Sequence, residues 1–147
     1  MPKEFRKDIF IDGEPTVELD YAAHHIRIPY HQEGIDYRED PYLALTDDPE
    51  ERSIFKKLLL IALNAETEKK AVRGFRDACI SAAKKMNIAL TNKNICGLLE
   101  RVRATHNQIA GYINTGAGCR LQNLDSQITE AILMRMTEMG IPCLPGH

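Results

Sequence analysis

From Asp48 to Gly140 the chain is punctuated as a succession of helices, and this limits the possible folds more than any other feature. Asp48-Pro49-Glu50-Glu51 is a helix start, with Asp48 as N-cap and Pro49 at the first position. Phe55, Leu58, Leu59, Ala62 and Leu63 then make an apolar stripe, with Arg52, Lys56 and Lys57 on or near the other face. A second helix is predicted over Thr67–Met86 and a third over Asn92–Arg103. A short fourth, His106–Ile113, is closed by Thr115-Gly116-Ala117-Gly118. In the last helix Leu121, Leu124, Ile128, Ala131, Ile132, Met136 and Met139 recur near the helical period, and Gly140 is the stop. Met134, Met136 and Met139 read as core filling, and Asp125-Ser126 as capping residues.

The first third reads differently. Ile9-Phe10-Ile11, a turn at Asp12-Gly13-Glu14-Pro15, and Thr16 to Tyr21 make a predicted hairpin. Val17, Leu19 and Tyr21 share one face of its second strand, Glu18 and Asp20 the other. Ala22 to His31 holds a helical turn or two, ended by Pro29 or shortly after, and residues 34–49 are mostly loop. Ile141 to Pro145 is a short extended segment. The expected fold class is therefore α+β: a small antiparallel sheet carrying Asp20 and ending near Cys143, with a predominantly helical remainder. One domain over 1–147 is expected, in three parts: the hairpin and acidic loop (1–47), a basic helical part (48–113), and the long helix with a final strand (114–147).

Charge is unevenly spread. Residues 1–51 hold 5 Lys/Arg against 14 Asp/Glu, residues 52–103 hold 12 against 4, and the net charge of the whole is −2. A basic block of this kind attracts polyanions, although opposite charges on solvated helix faces also cancel one another. The longest apolar run, Leu58–Leu63, is too short for a membrane span, and the first eight residues lack the apolar core of a secretory signal. Cys79, Cys96, Cys119 and Cys143 form no C-x-x-C pair, which argues against a zinc ribbon or a thioredoxin-like site. They read as buried, reduced thiols of a cytoplasmic protein.

Asp20, at a strand end before a helix, can be exposed yet rigidly held. Arg27 and His31 follow it, and Arg52 and Lys56 stand four residues apart on one helix face. One carboxylate for a divalent metal, with paired cations on a helix, suits a triphosphate and its metal ion. Taken singly, each element is as well explained by a turn residue or a solvated helix face.

Their order resembles a known family. Asp20-Tyr21-Ala22-Ala23-His24-His25-Ile26-Arg27-Ile28-Pro29-Tyr30-His31 resembles motif A of the family A DNA polymerases, D-Y-S-Q-I-E-L-R-V-L-A-H. Gln32-Glu33-Gly34-Ile35-Asp36 is similar to the Q-E-G-R-D segment that follows it there. Arg52-x3-Lys56 is similar to R-x3-K of motif B on the fingers helix. Gln122 stands early in a long helix, as a motif Gln does in that family. Leu144-Pro145-Gly146-His147 resembles the strand entering the final V-H-D motif, which the single-subunit phage RNA polymerases carry as H-D-S. The resemblance spans most of the chain in the right order.

It implies a palm-and-fingers fold and template-dependent nucleotidyl transfer with Mg²⁺ (or Mn²⁺), on a primer-template that is DNA rather than RNA, in replication of a phage or mobile element. Asp20 would be the catalytic carboxylate and metal ligand, with the Tyr21 carbonyl completing the metal shell. His25, Arg27, His31, Arg52 and Lys56 would line the nucleoside triphosphate. Lys69, Lys70, Arg73, Arg76, Gln122 and His147 would lie along the nucleic acid.

Several positions depart from the pattern. His25 stands where the family carries the Glu that blocks a ribose 2′-OH, so sugar selection does not carry over. Leu60 and Asn64-Ala65 replace the aromatic and Y-G positions of the fingers helix. His147 stands one residue before the second catalytic Asp would come, which fits a fragment or a degenerate form with weak activity alone. The alternative from another class is a non-catalytic nucleic-acid-binding protein that uses the 52–103 block, needing neither metal nor Asp20.

Overall fold

The structure is a computed structural model that describes residues 5, 8–85 and 90–144. It is rich in helix, with one two-stranded antiparallel sheet, and is α+β in that coarse sense. The elements are β1 (Phe10–Ile11), β2 (Glu14–Pro15), α1 (His24–Gln32), α2 (Pro49–Asn64), α3 (Glu68–Lys85), α4 (Asn92–Thr105), a 3-10 helix (Asn107–Tyr112) and α5 (Gly118–Glu138). Contacts divide the chain into two compact units, one of residues 23–123 and one of residues 1–22 with 124–147.

The larger unit is helical. Asp48 caps α2 as its sequence indicates: one carboxylate oxygen accepts from the backbone N–H of Glu50 (2.7 Å) and of Glu51 (3.0 Å). Thr91 does the same for α4 through the N–H of Asn94. The apolar stripe of α2 is buried, with Phe55, Leu58, Leu59, Ala62 and Leu63 all closed to water. Full burial of each large side chain contributes about 1.5–3 kcal/mol. Against this stripe pack Phe75 and Cys79 of α3 and Ile95 and Leu99 of α4. Gly74 of α3 faces the Ile61 side chain of α2, where a Cβ would sit in ordinary van der Waals contact at 3.4 Å. The loop between α1 and α2 is anchored in the same core by Tyr42 and Leu45.

Pro29 does not end α1; the helix continues to Gln32, and Glu33 N–H reaches back to the carbonyls of Pro29 and Tyr30. Proline in a helix interior costs one backbone hydrogen bond and a clash. Here Ile26, Ile28, Pro29 and Tyr30 are all buried, and their packing outweighs that local cost.

In the smaller unit the expected hairpin is shorter than its pattern suggested. Asp12 (φ 53°) and Gly13 (φ 85°) alone form the turn, as in a type I′ hairpin, so Glu14 and Pro15 belong to β2. Thr16 adds a backbone and a hydroxyl bond to the Ile9 carbonyl, and there the pairing stops. The predicted strand over 16–21 is corrected accordingly: the segment is irregular, and Val17 and Leu19 are 83% and 86% exposed. Among the described residues no further strand forms near Cys143 either, so the larger sheet is not built.

The stripe of α5 has the predicted period but not the predicted burial. Leu121 is closed to water, whereas Ile128, Ile132, Met134 and Met139 are exposed, Met134 by 60%. Core filling by Met134 and Met139 is therefore corrected, and Met136 is half-buried. Because α5 begins at Gly118, Asp125 and Ser126 lie inside the helix and are not its cap. Gly140 (φ 70°) ends it as expected: its N–H bonds to the Thr137 carbonyl and Ile141 N–H to that of Met136, a Schellman closure. Of the cysteines only Cys79 is buried; Cys96 and Cys143 are half-buried and Cys119 is exposed. The second helix's expected end at Met86 lies outside the described residues.

Candidate functional site

The residues singled out by sequence fall in both units. Asp20 and Tyr21 belong to the smaller, in an exposed segment that runs by way of Ala22 and Ala23 into the start of α1. Ala23 takes a left-handed conformation (φ 53°) at that junction. His25, Arg27, His31, Arg52, Lys56, Lys69, Lys70, Arg73, Arg76 and Gln122 all belong to the larger unit. His147 lies outside the described residues.

Asp20 was expected on a strand end, where a ladder would fix it. Its segment has no ladder, so the carboxylate is exposed without that support. Among the described residues no three His, Cys, Asp or Glu side chains gather closely enough to hold a metal ion. Mg²⁺ keeps several waters and takes one or two carboxylates together with substrate phosphates, so Asp20 with the Tyr21 carbonyl supplies only part of its shell. These residues do not by themselves build a Mg²⁺ site.

In the larger unit the cations are sorted by their partners. Arg27 and His31 stand one turn apart on α1, and Arg52 and Lys56 one turn apart on α2. Arg27 is half-buried; its Nη2 donates to the Arg38 carbonyl at 3.1 Å, with a longer 3.5 Å contact to that of Glu39. Arg52 Nη2 donates to Asp40 Oδ2 at 2.6 Å, and its guanidinium lies 5.0 Å from the centre of the Tyr42 ring. Lys56 and Lys57 are exposed on the same helix.

On α3, Lys69, Arg73 and Arg76 follow at spacings of four and three residues, which puts them on one face. Lys70 lies on a neighbouring face, paired with Glu66, while Arg73 is 3.9 Å from Asp77. Glu68 meets Arg103 at 2.7 Å and Cys96 Sγ at 3.6 Å, which ties the start of α3 to α4. Its carboxyl is held below the usual range, first by the Arg103 hydrogen bond against the opposing effect of burial. Lys56, Lys57, Lys69, Arg76 and Lys93 make no ion pair among the described residues. Gln122 is exposed on α5.

Two features were not foreseen. One is Asp40, which lies in a loop whose acidic composition gives no hint that it faces Arg52. The other is a buried network around His106, which is fully closed to water. Its Nε2 donates to the Pro41 carbonyl (3.0 Å), so Nδ1 accepts the Tyr30 hydroxyl proton (2.8 Å). Tyr30 stacks on Tyr37 with ring centres 4.3 Å apart. Burial, with Tyr37 adding to it, pushes the Tyr30 hydroxyl up to about 12. Burial likewise lowers the His106 pKa below its ordinary value, partly opposed by the Pro41 bond. No family model, no curated protein and no solved structure matches the chain.

Proposed function

We propose that the chain supplies nucleotide- and nucleic-acid-binding parts of a template-dependent nucleotidyltransferase of the DNA polymerase type. The observation that carries this reading is on α2, where Arg52 and Lys56 stand one turn apart on a helix capped at Asp48. That is the setting in which the R-x3-K pattern can meet consecutive phosphates. The chain path before it agrees, since Asp20-Tyr21 leads into a helix that carries His25, Arg27 and His31. In this reading Arg52, Lys56 and His31 neutralise the triphosphate, and Arg27 and His25 lie beside it. Asp20 is the catalytic carboxylate, acting with a Mg²⁺ that arrives on the nucleotide, because among the described residues no cluster of ligands gathers to keep one. Lys69, Lys70, Arg73, Arg76 and Gln122 contact primer-template, and His147 the primer end.

The test is binding of a fluorescent deoxynucleoside triphosphate with Mg²⁺, and of primed DNA, by anisotropy. Arg52→Ala and Lys56→Ala should each weaken nucleotide binding about tenfold, the effect of losing one charge-assisted contact. Asp20→Ala should abolish any primer extension. Unchanged nucleotide affinity in both cation variants refutes the reading.

A second reading is favoured by the exposed cations Lys56, Lys57, Lys69 and Lys93 and the half-buried Arg76, which make no ion pair among the described residues. They suit a sequence-tolerant hold on a phosphate backbone without catalysis. Binding would then fall steeply with salt, by about 0.9 in log K per log salt for each phosphate neutralised on duplex DNA. It would ignore Mg²⁺, nucleotide and Asp20→Ala.

A further inference from the structure

The loop between α1 and α2 carries Glu33, Asp36, Glu39, Asp40, Asp47 and Asp48 against a single cation, Arg38. Tyr42 and Leu45 pin it into the core of the larger unit. From there it reaches two of the arginines assigned above to the nucleotide. The Asp40 carboxylate takes Arg52, and the backbone carbonyl of Arg38 takes Arg27. The Arg27 guanidinium is not fully satisfied by this: its buried Nε has no acceptor among the described residues. Lys56, one turn from Arg52, has no acidic partner there. One cation of the α2 pair is thus open and the other already holds an anion.

The two oxygens of Asp40 do different work. Oδ1 accepts the Tyr42 N–H at 2.9 Å and so shapes the loop, whereas Oδ2 faces the arginine at 2.6 Å. The Arg52 and Asp40 side chains are 41% and 32% exposed, so a solute can reach the pair.

We infer that the Asp40 carboxylate is an internal competitor for the nucleotide site, occupying Arg52 until an incoming triphosphate displaces it. The inference rests on the nucleotide-binding reading of Arg52. Lys56 makes the first contact with the triphosphate, since it has nothing to give up. Arg52 joins only by exchanging one anion for another, so the acidic loop sets a threshold that weakly charged anions do not pass. A multiply charged polyphosphate clears it, and a monophosphate or a carboxylate metabolite does not.

Asp40→Asn separates the two roles, because an amide oxygen still accepts the Tyr42 N–H while the competing charge is gone. The probes are the magnesium complex of a fluorescent deoxynucleoside triphosphate and, without a base, inorganic tripolyphosphate. Asp40→Asn should bind both about fivefold tighter than the natural chain, the scale of a partly exposed ion pair. Arg52→Gln should bind more weakly, and Asp40→Asn/Arg52→Gln should match Arg52→Gln alone. Asp40→Ser, with circular dichroism of every variant, guards against a folding defect in the first substitution.

If Arg52→Gln weakens binding while Asp40→Asn and Asp40→Ser leave it unchanged, the competitor is refuted and the nucleotide reading stands. A gain that persists in the double variant is a general effect of removing negative charge, and also refutes it. If neither the natural chain nor Asp40→Asn binds either probe, the nucleotide reading itself fails and takes the inference with it.

Discussion

Replacing His106 by Phe removes both bonds of the buried network while keeping a ring of similar size. The Tyr30 hydroxyl and the Pro41 carbonyl then lose their partner inside the core. Each of the two stranded groups costs about 1–3 kcal/mol, so His106→Phe should lose about 2–6 kcal/mol. That is a large part of the 5–15 kcal/mol typical of a domain. The pH dependence is a sharper test. Burial lowers the folded-state pKa of His106 below its ordinary 6.5, so the fold prefers the neutral ring. The unfolded chain then binds more protons as pH falls, and stability is full above about pH 6.5 and declines below it. At pH 5.5 the natural chain should have lost up to about 1.4 kcal/mol relative to pH 7.5, one pKa unit's worth. Urea titrations followed by far-ultraviolet circular dichroism at both pH values measure this. His24, His25, His31 and His147 remain in the variant, so the difference between the two chains isolates His106. If His106→Phe keeps the same loss between pH 7.5 and 5.5, the buried neutral histidine is not its source and the reasoning fails.

Three further outcomes are expected. Asp48→Ala should destabilise the chain by about 1 kcal/mol, whereas Asp48→Asn stays within a few tenths, as urea midpoints will report. Gly118→Ala should cost about 1–3 kcal/mol in thermal denaturation, because the new Cβ would lie 2.9 Å from the Asn64 Cα, a backbone atom that cannot turn aside. Leu121→Ala should cost about 2–5 kcal/mol, since Leu121 is fully buried. Ile132→Gln on the exposed part of the same helix should change stability by less than about 0.5 kcal/mol, and a comparable loss at the two positions would refute the burial described for α5.

What could be read from the chain was local. Asp48-Pro49 and Gly140 mark helix ends because a cap is made by residues a few positions away, and the structure has both ends there. The apolar period of α5 is equally plain, but a period states which side chains share a face and not what covers it; Met134 and Met139 are exposed. In the hairpin, alternation over Val17–Tyr21 was compatible with a strand, yet a strand needs a partner, and none pairs with it among the described residues. The same limit applies to the site. Arg52 and Lys56 are recognisable as one helix face from their spacing alone. Asp40 against Arg52, Pro41 against His106 and Tyr30 against His106 join residues 12, 65 and 76 positions apart, and no local pattern announces such pairs.

The end of α2 is completed from a distance. Its Ala62 carbonyl accepts the N–H of Asn114 at 2.8 Å, and the Ala65 carbonyl just beyond accepts that of Gly116 at 2.9 Å. Asn114 and Gly116 both adopt left-handed backbone angles to present those donors. A helix whose final carbonyls wait for a turn about fifty residues further along cannot finish forming on its own, and the turn has nothing to brace it until the helix is there. The span between them closes like a clasp, so the larger unit should assemble in one cooperative event. The amide protons of Asn114 and Gly116 should then exchange with solvent as slowly as those in the middle of α2, although they sit in a half-buried turn outside any helix.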